Sequence, residues 1–409
     1  MKDNKIKVPF SKPSIDRQEE KAVLKVVRSG WLTTGNETFK FEKEFSDFMN
    51  KALPSDSKNV VSLAVNSNTS GMILALNACG IKEGTAVITT PYTFVSTAAC
   101  VKHVGADVIF CDIEKDSYNI DADKIEQILI ENEKNKKYNI KAIIPVHIAG
   151  NVCNMKKIMQ LAEKYSTKEN KIYVIEDAAH SFPSLTDMGY AGTIGDAGVF
   201  SFYATKPLTT GEGGMVCTKD ESLAKTMQIM RLHGMDRTAW DRYTSPKASW
   251  QYDIVAPGFK FNLPDVLSAI GRVQLKKTES MYKKRKHITE IYNKAFKELD
   301  FVTVPPDGKG NAWHLYLLRL NLDKLTIDRD AFAKKMQENG IGISMHFIPL
   351  FHFTYWKNLD PSFTKENFVN AESQFIRTIT IPLWPDMTDK MAYDTIKVVT
   401  NIGREYHVR

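Results

Sequence analysis

The sequence predicts an α/β protein, in which a large domain with a mostly parallel sheet is followed by a smaller α+β domain. Short, nearly continuous apolar runs alternate with helical patterns through the first half of the chain, as in parallel sheets covered by helices on both faces. After residue 305 the pattern changes to a shorter mixture of strands and helices. We expect the large domain, with an N-terminal arm, in residues 1–262, and a linking helix with the small domain in residues 263–409.

Length and charge exclude several classes of protein. The 409 residues suit two domains, and 43% hydrophobic with 25% charged residues is ordinary for a globular protein. The net charge of +7 comes largely from lysines in 134–141 and 276–286, where acidic residues are interleaved. These patterns favour solvated helix faces over a nucleic-acid surface. We expect no nucleic-acid partner and, without a zinc-type spacing, no metal.

The cysteines and the start of the chain indicate a cytoplasmic protein. The five cysteines are odd in number and form no C-x-x-C pair, so they are predicted to be reduced core thiols. The first ten residues contain no apolar segment of a signal peptide. No apolar run approaches the roughly 20 residues of a membrane span. We therefore expect a cytoplasmic location without a membrane partner.

Two helices are predicted before the first strand. Ser14 is the expected N-cap of the first, whose apolar positions Ala22, Val23, Val26 and Val27 share a face and which Gly30 ends. The second covers 39–49 and places Phe41, Phe45 and Phe48 at helical spacing, which indicates core packing. A turn-rich loop containing Trp31 connects them.

Strands and helices then alternate. Strands are predicted at 60–65, 86–89, 107–112, 141–146 and 172–175, and the intervening helices at 72–78, from 91 to about 105, from about 123, and at 155–165. A helix at 221–232 and an irregular region to 264 follow. The remaining elements are a long helical segment with breaks at 265–299, strands at 313–320 and 343–347, and helices at 329–339 and from about 388.

Polar clusters follow four of the predicted strands, at 66–71, 91–97, 147–151 and 176–181. In sheets of this type, ligands bind beyond the carboxyl ends of the strands. The first cluster is rich in small residues and opens a helix, which is also a phosphate-binding geometry because free backbone N–H groups face the anion. Helix capping alone would favour the same residues. The clusters together predict a ligand site at this edge.

Lys206 lies in a loop between two further strands, at 199–203 and 215–217. Burying its amine as a cation is costly, so such a lysine is often neutral and used in carbonyl chemistry. Alternatively, the stem packs while the amine reaches water. The stretch by itself leaves both interpretations open.

The surrounding residues meet the requirements of pyridoxal phosphate. Its aldehyde needs an amine, for which Lys206 is the candidate, and its ring nitrogen needs a carboxylate, which Asp177 can supply. Phe94 can cover the ring. Thr69, Ser70 and Ser201 can bind the phosphate. Each has a structural alternative, since Asp177 could cap a helix, Phe94 could be core, and Ser201 could be a small strand residue.

The chain resembles the DegT/DnrJ/EryC1/StrS family of sugar-nucleotide aminotransferases. The resemblance is carried by ordered motifs from residue 9 to the last helix: N-S-N-T-S-G-M, P-Y-T-F-V-S-T, P-V-H-I-A-G-N, E-D-A-A-H-S, F-S-F-Y-A-T-K-P-L-T-T-G-E-G-G and P-G-F-K-F-N-L-P-D. It implies a fold-type-I pyridoxal-phosphate transferase with a seven-stranded sheet. It also implies glutamate as amino donor, a nucleotide-linked keto sugar as acceptor, and a homodimer with active sites at the subunit interface.

The resemblance assigns roles to individual residues. Lys206 matches the lysine that binds the cofactor, Asp177 the partner of the ring nitrogen, and Phe94 the stacking aromatic. His180 matches the residue beside the phenolic oxygen, and Thr69, Ser70 and Ser201 match the phosphate-binding set. In the family, a polar residue of the G-F-K-F-N stretch reaches the phosphate of the neighbouring subunit; Lys260 and Asn262, which would point to the same side of a strand, both remain candidates.

Substrate recognition is less closely defined. Stretches 240–242, 256–265, 312–315 and 345–347 resemble the branch that makes UDP-4-amino-4-deoxy-L-arabinose, whereas Tyr203 and 181–183 depart from it. Possible substrate contacts are Trp31, Tyr203, His147, His314, His346 and Phe347, with Lys260 and Arg242 for a diphosphate. Each histidine could instead be structural.

We therefore expect a transaminase acting on a UDP- or dTDP-linked 4-keto sugar. A 3-keto sugar, sugar phosphate or cyclitol acceptor, and a non-catalytic binding protein, are the alternatives. The dehydrating relatives have His where this chain has Lys206, so a dehydratase is disfavoured.

Overall fold

The computed structural model describes residues 6–53, 57–236, 251–308 and 310–408. Arg242 and the 240–242 stretch lie outside these residues. Within the described part, no helix combines the length and apolar character needed to cross a membrane. All five cysteines are buried free thiols.

The centre of the molecule is a seven-stranded sheet, as predicted. In chain order the strands are β1 (Val61–Val65), β2 (Ala86–Thr89), β3 (Asp107–Phe110), β4 (Ile140–Ile144), β5 (Tyr173–Asp177), a separate small hairpin of β6 (Leu185–Thr186) and β7 (Gly189–Tyr190), β8 (Ala197–Ser201) and β9 (Gly214–Thr218). Their order across the large sheet is β1-β9-β8-β5-β4-β2-β3. Within the large sheet, β9 pairs antiparallel with its neighbours β1 and β8, and the other strand pairs are parallel. The sheet is therefore mostly parallel.

Helices cover both faces of this sheet. They include α2 (Asn36–Asn50), α3 (Asn68–Ala78), α4 (Val95–His103), α5 (Ala122–Asn135), α6 (Met155–Tyr165) and α7 (Glu221–Met230), whereas α1 (Arg17–Ser29) packs on the long helix Asp265–Phe296. Because side chains alternate along a strand, Ile175 packs in a cluster with residues of α3, α4 and α7, whereas Val174 packs with residues of α5 and α6. Phe41 and Phe45 of α2 are fully buried against β8 and β9, as expected.

The N-cap of α1 is Asp16, so the prediction of Ser14 was wrong. The Asp16 carboxylate accepts a hydrogen bond from the Gln18 amide at 2.7 Å, and the Glu19 carboxylate accepts one from the Asp16 amide at 2.9 Å. This reciprocal pair satisfies more of the free amides at the helix start than one hydroxyl could. Gly30 ends the helix in a left-handed conformation, as predicted.

The C-terminal part differs from the prediction in an unbroken long helix, in one missing strand, and in two strands and two short helices that were not predicted. Its elements are α8 (Asp265–Phe296), β10 (Val302–Thr303), β11 (Tyr316–Leu320), α9 (Arg329–Glu338), α10 (Thr354–Leu359), α11 (Val369–Phe375), β12 (Thr378–Ile381) and α12 (Asp389–Glu405). Helix α8 has no break, and its Gly271 packs closely on α2, since a β-carbon there would lie 2.5 Å from the Phe41 ring. The predicted strand 343–347 is absent; Ser344 makes one isolated bridge to β12, which completes the antiparallel sheet β10-β11-β12.

Candidate active site

A cavity of about 450 Å³ lies at the carboxyl edge of the large sheet. Its walls come from the turns after β1, β2, β5 and β8 and from two segments near the three-stranded sheet. It brings together most of the predicted site residues: Thr69, Phe94, Asp177, His180, Ser201, Tyr203, Lys206, His314, His346 and Phe347. Three of the four polar clusters, at 66–71, 91–97 and 176–181, therefore line the cavity at the sheet edge where a ligand was expected, whereas 147–151 does not.

Asp177 is the last residue of β5, and three donors hold its carboxylate. Thr97 donates to one oxygen at 2.8 Å, while the Asn68 amide at 3.3 Å and the Ala179 backbone N–H at 3.2 Å donate to the other. Burial raises the pKa of Asp177, and the hydrogen bonds and the charge of Lys206 oppose that rise. A cation facing this carboxylate would stabilise its ionised form. The sequence analysis missed Asn68 and Thr97 as individual residues, although both lie in the polar clusters.

Lys206 follows β8 in a turn closed by a hydrogen bond from its backbone N–H to the Tyr203 carbonyl, at 3.0 Å. The residue opens partly into the cavity, but protein atoms surround its amine. This burial lowers the pKa of Lys206 to about 8, and the nearby charge of Asp177 limits the decrease. A larger share of the amine is therefore uncharged near neutral pH than for an exposed lysine, which suits a nucleophile or base.

His180 presents a defined donor to the cavity. Its Nδ1 accepts a hydrogen bond from the Ala149 backbone N–H at 3.2 Å. Burial, with the positive charge of Lys206, holds the pKa of His180 well below its usual value, so the ring is neutral. The ring proton must therefore reside on Nε2. Ala149 has a left-handed backbone (φ 59°), and its carbonyl accepts the His314 backbone N–H at 3.0 Å.

The opposite side of the cavity, here called the C-terminal wall, consists of His314, His346 and Phe347. The His314 ring lies edge-on to His180 with centroids 4.5 Å apart, and Phe347 stacks on His180 at 5.5 Å. Burial lowers the pKa of His314, and that of His346 to about 3. His314 Nδ1 is buried and has no hydrogen-bond partner among the described residues. The side of the cavity that carries Asp177, His180, Lys206 and their hydrogen-bond partners is called the central-sheet wall.

The start of α3 forms the floor beside Thr69. Ser67 caps the helix by accepting the Ser70 amide at 3.1 Å, and the two hydroxyls lie 3.0 Å apart. Ser70 is thus engaged in the cap and does not line the cavity, whereas Ser67, Asn68 and Thr69 do. Gly71 allows α3 to pack closely on β8, since a β-carbon at Gly71 would lie 2.6 Å from the Val199 side chain. First-turn amides have no acceptor within a helix, so this end can bind an anion.

Lys260 and Asn262 line a second cavity of about 350 Å³ and do not line the first. Their side chains contact each other, as expected for the same side of a strand, and the Asn262 amide donates to Thr34 Oγ1 at 2.7 Å. Trp31 is also outside the Lys206 cavity; its indole N–H donates to the Thr34 carbonyl at 3.3 Å.

His147 and the 181–183 stretch are also outside the walls of the Lys206 cavity. His147 is fully buried against Glu176, which supports its structural alternative. Phe182 stacks on Phe45 in the core at 5.1 Å. Of the positions that depart from the arabinose branch, Tyr203 is the one that reaches the cavity.

Comparison with protein families identifies the chain. The model of the DegT/DnrJ/EryC1/StrS aminotransferase family matches residues 13–400. The chain belongs to this family. Membership confirms the predicted fold-type-I architecture and the prediction of a pyridoxal-phosphate-dependent transaminase of the sugar aminotransferase family.

Individual relatives cover nearly the whole chain. Uncharacterized protein MJ1066 of Methanocaldococcus jannaschii is 42% identical over 97% of this chain and 98% of its own length. The spore coat polysaccharide biosynthesis protein SpsC of Bacillus subtilis is 39% identical over 97% of each chain. The structure is similar to the PMP-form of Spr1654, a putative sugar aminotransferase of Streptococcus pneumoniae (TM-score 0.86, 30% identity, 97% of this chain and 99% of that one).

Proposed function

We propose that this aminotransferase transfers the amino group of glutamate to a nucleotide-linked 4-keto sugar in the cytoplasm. The observation that carries the proposal is the enclosure of Lys206, Asp177 and His180 in one cavity with an aromatic and imidazole wall. The family supports the reaction class. The names of two relatives support a sugar acceptor: SpsC acts in spore coat polysaccharide biosynthesis, and PseC of Helicobacter pylori (26% identity, TM-score 0.84, 98% of this chain and all of that one) is an aminotransferase involved in pseudoaminic acid biosynthesis.

The donor set of the cavity fits pyridoxal phosphate. Lys206 would bind the aldehyde carbon, Asp177 would face the ring nitrogen, and the His180 Nε2–H would face the phenolic oxygen. Thr69 and Ser201, with the first amides of α3, would hold the phosphate. Phe94, of which 59% is exposed toward the cavity and solvent, would cover the ring. The buried Asp177 carboxylate is the strongest part of this fit, because a ring N–H⁺ would offset the cost of its burial.

When bound, pyridoxal phosphate supplies an aldehyde that accepts the amino group and a ring that holds an electron pair. Lys206 Nζ would take the proton from the α-carbon of glutamate, since its lowered pKa leaves a basic amine near neutral pH. The same nitrogen would deliver a proton in the reverse half-reaction on the keto sugar. Asp177 would keep a proton on the ring nitrogen throughout, and the C-terminal wall would exclude water from the reacting atoms.

We further propose that the enzyme is a homodimer in which Lys260 or Asn262 reaches the phosphate site of the partner. Two observations support this arrangement. Both side chains lie together in a cavity separate from the Lys206 site of their own chain, and burial lowers the pKa of Lys260. An anion supplied by a neighbouring subunit would stabilise the charged lysine.

A panel of ketone acceptors tests the proposed substrate. The holoenzyme is converted with glutamate, freed of 2-oxoglutarate, and then offered UDP- and dTDP-linked 4-keto sugars, a 3-keto nucleotide sugar, a sugar-phosphate ketone and a cyclitol ketone. We expect the visible cofactor absorbance to return fastest, and an amino sugar to be detected by mass spectrometry, with a nucleotide-linked 4-keto sugar. Faster recovery with a free cyclitol or a sugar phosphate would overturn the substrate assignment, while no response to glutamate would overturn the reaction itself.

A mixed dimer tests the contribution across the interface. Lys206→Ala is inactive in this proposal, and so is the double variant Lys260→Ala/Asn262→Ala. After unfolding and refolding together, we expect about a quarter of wild-type activity, because half of the dimers are mixed and each mixed dimer has one intact site. No recovery, with dimers confirmed by sedimentation, would place Lys260 and Asn262 in the site of their own chain.

A further inference from the structure

Glu176, the neighbour of Asp177 in β5, is a fully buried carboxylate that faces four N–H donors. One oxygen lies 2.9 Å from His147 Nε2 and accepts the Gly192 amide at 2.8 Å. The other accepts the amides of Ile194 at 2.7 Å and Gly195 at 2.8 Å. Because successive strand residues point to opposite faces, this network lies behind the active-site carboxylate.

The geometry fixes the protonation of both buried partners. His147 Nδ1 accepts the Cys153 backbone N–H at 3.2 Å, so its single ring proton must be on Nε2 and directed at Glu176. Glu176 then has donors at every contact and no place for a proton of its own. Burial raises the pKa of Glu176, but the hydrogen bonds from His147, Gly195 and Gly192 outweigh it and leave the pKa lowered. The Glu176 carboxylate is therefore held in its ionised form by hydrogen-bond donors at each of its contacts.

This anion joins two backbone segments that adjoin Asp177 and its neighbouring strand. Through the His147 ring, Glu176 holds the segment after β4. In this segment the His147 backbone N–H donates to the Asp177 carbonyl at 3.2 Å. Through residues 192–195 the same carboxylate holds the turn before β8, which lies so close that a β-carbon on Gly198 would be 2.3 Å from the Gly192 carbonyl. Strand β8 pairs with β5, and the Val199 carbonyl accepts the Asn68 amide that also binds Asp177.

We propose that Glu176, acting through His147 and the 192–195 turn, is a positioning residue that sets the orientation of Asp177 toward the cofactor ring. The inference rests on the proposed role of Asp177. Glutamine cannot replace Glu176 without loss, because its NH₂ group would face two N–H donors in either orientation. His147 cannot adapt by moving its proton, since Nδ1 is engaged with Cys153.

Asp112 provides a matched control. It is also a buried carboxylate after a strand of the same sheet, and it accepts the backbone amides of Asn370 at 3.1 Å and Ala371 at 3.0 Å. Its network holds the start of α11 and does not touch the Lys206 cavity. Asp112 also pairs with Lys124 at 2.9 Å, so Asp112→Asn removes a buried, hydrogen-bonded carboxylate together with an ion pair, whereas only Glu176→Gln lies behind Asp177.

The experiment compares Glu176→Gln, His147→Gln, Asp112→Asn and Asp177→Asn. For each protein, tryptophan fluorescence of the apoprotein gives the dissociation constant of pyridoxal phosphate, absorbance of the holoprotein gives the pH midpoint of the visible cofactor band, and thermal unfolding gives stability. We expect Glu176→Gln to weaken cofactor binding about tenfold, as for one lost buried hydrogen bond, and to shift the pH midpoint in the same direction as Asp177→Asn. His147→Gln, which keeps a donor to Glu176, should lie between Glu176→Gln and wild type.

The control separates positioning from stability. Asp112→Asn should lower the unfolding temperature about as much as Glu176→Gln does. Its dissociation constant for pyridoxal phosphate should stay within twofold of the wild-type value, and its pH midpoint should be unchanged. If Glu176→Gln loses stability but binds and titrates like Asp112→Asn, Glu176 is only structural and the proposal is overturned. If Asp177→Asn itself leaves both readouts unchanged, the proposed role of Asp177 fails instead. Should Glu176→Gln not fold, His147→Gln decides the question with the same two readouts.

Discussion

The two walls of the active-site cavity are built in different ways. In the central-sheet wall, neighbouring groups fix the functional side chains: Thr97 and Asn68 hold Asp177, and the Ala149 amide holds His180. In the C-terminal wall, the Phe347 ring stacks on His180 and His346 Nδ1 lies 3.0 Å from Thr380 Oγ1, but His314 keeps a buried nitrogen without a partner among the described residues. A fixed wall suits chemistry common to every substrate, whereas a wall with unused polar atoms suits recognition of one substrate. We therefore propose that the first wall carries the reaction and that the second selects the acceptor.

Removing the amine of Lys206 should have the largest effect and confirm where the chemistry lies. We expect Lys206→Ala to lower both half-reactions at least about a thousandfold, as for loss of a combined nucleophile and general base. Single-turnover absorbance with glutamate measures the first half and a keto-sugar nucleotide the second. If only the second half were lost, Lys206 would belong to acceptor recognition and the comparison of the walls would be wrong.

Loosening Asp177 should be the next largest effect. Thr97→Val keeps the shape of the side chain but leaves one carboxylate oxygen without its 2.8 Å donor. We expect kcat to fall about tenfold for every acceptor, with little change in KM, because a hydrogen bond to a charged group contributes about 1.5–3 kcal/mol. Thr395→Val, which removes a buried hydroxyl bonded to the Met391 carbonyl in α12, is the control. An effect confined to one acceptor would contradict a general role for this wall.

The sequence predicted the central-sheet wall better than the C-terminal wall. Asp177 and Lys206 could be placed because buried strands end in polar turns at one sheet edge, a rule that needs only local patterns. The sequence could not foresee that the Ser70 hydroxyl lies 3.0 Å from the capping Ser67, because a serine in a first helical turn serves equally as a cap partner or a ligand. Predicting Asn68 and Thr97 as hydrogen-bond partners of Asp177 would have required knowing how close the turns after β1 and β2 lie to the end of β5. His314 and His346 were named, but their approach to His180 depends on long-range packing.

The strand β12 shows the same limit on the fold. Its T-I-T-I sequence before Pro382 has the β-branched composition of a strand. The prediction placed a strand at 343–347 instead, since that stretch is also short and apolar. In the structure it is β12 that pairs with β11, with Tyr316 opposite Ile381. Composition identifies segments able to form strands, and tertiary pairing selects among them.

Truncating the C-terminal wall should produce a smaller and more selective effect. His314→Ala removes a buried ring that borders His180, while the donors to Asp177 remain. We expect KM for the sugar acceptor to rise about fivefold with the glutamate half-reaction nearly unchanged, because a lost side-chain contact costs about 1 kcal/mol. Steady-state kinetics with both substrates measures this split. His352→Ala, whose ring pairs with Glu372 away from the cavity, is the control. Equal losses in both halves would remove the distinction between the walls.

The dependence of stability on pH should show what it costs to bury imidazole rings in the C-terminal wall. Burial lowers the pKa of His346 to about 3, below the value of about 6.5 expected in the unfolded chain, so the unfolded state binds more protons between these values. The free energy of unfolding is therefore highest above pH 6.5 and decreases as the pH falls toward 3, by up to about 1.4 kcal/mol per pH unit for this residue. Urea unfolding of the apoprotein at pH 7 and pH 5 measures the change.

His346→Gln should lose about 2 kcal/mol less of its free energy of unfolding than wild type over this interval, whereas His103→Gln, at an exposed position, should behave as wild type. An equal loss in all three proteins would mean that the His346 ring is hydrated in solution, and the C-terminal wall would then be as open to water as the cavity mouth.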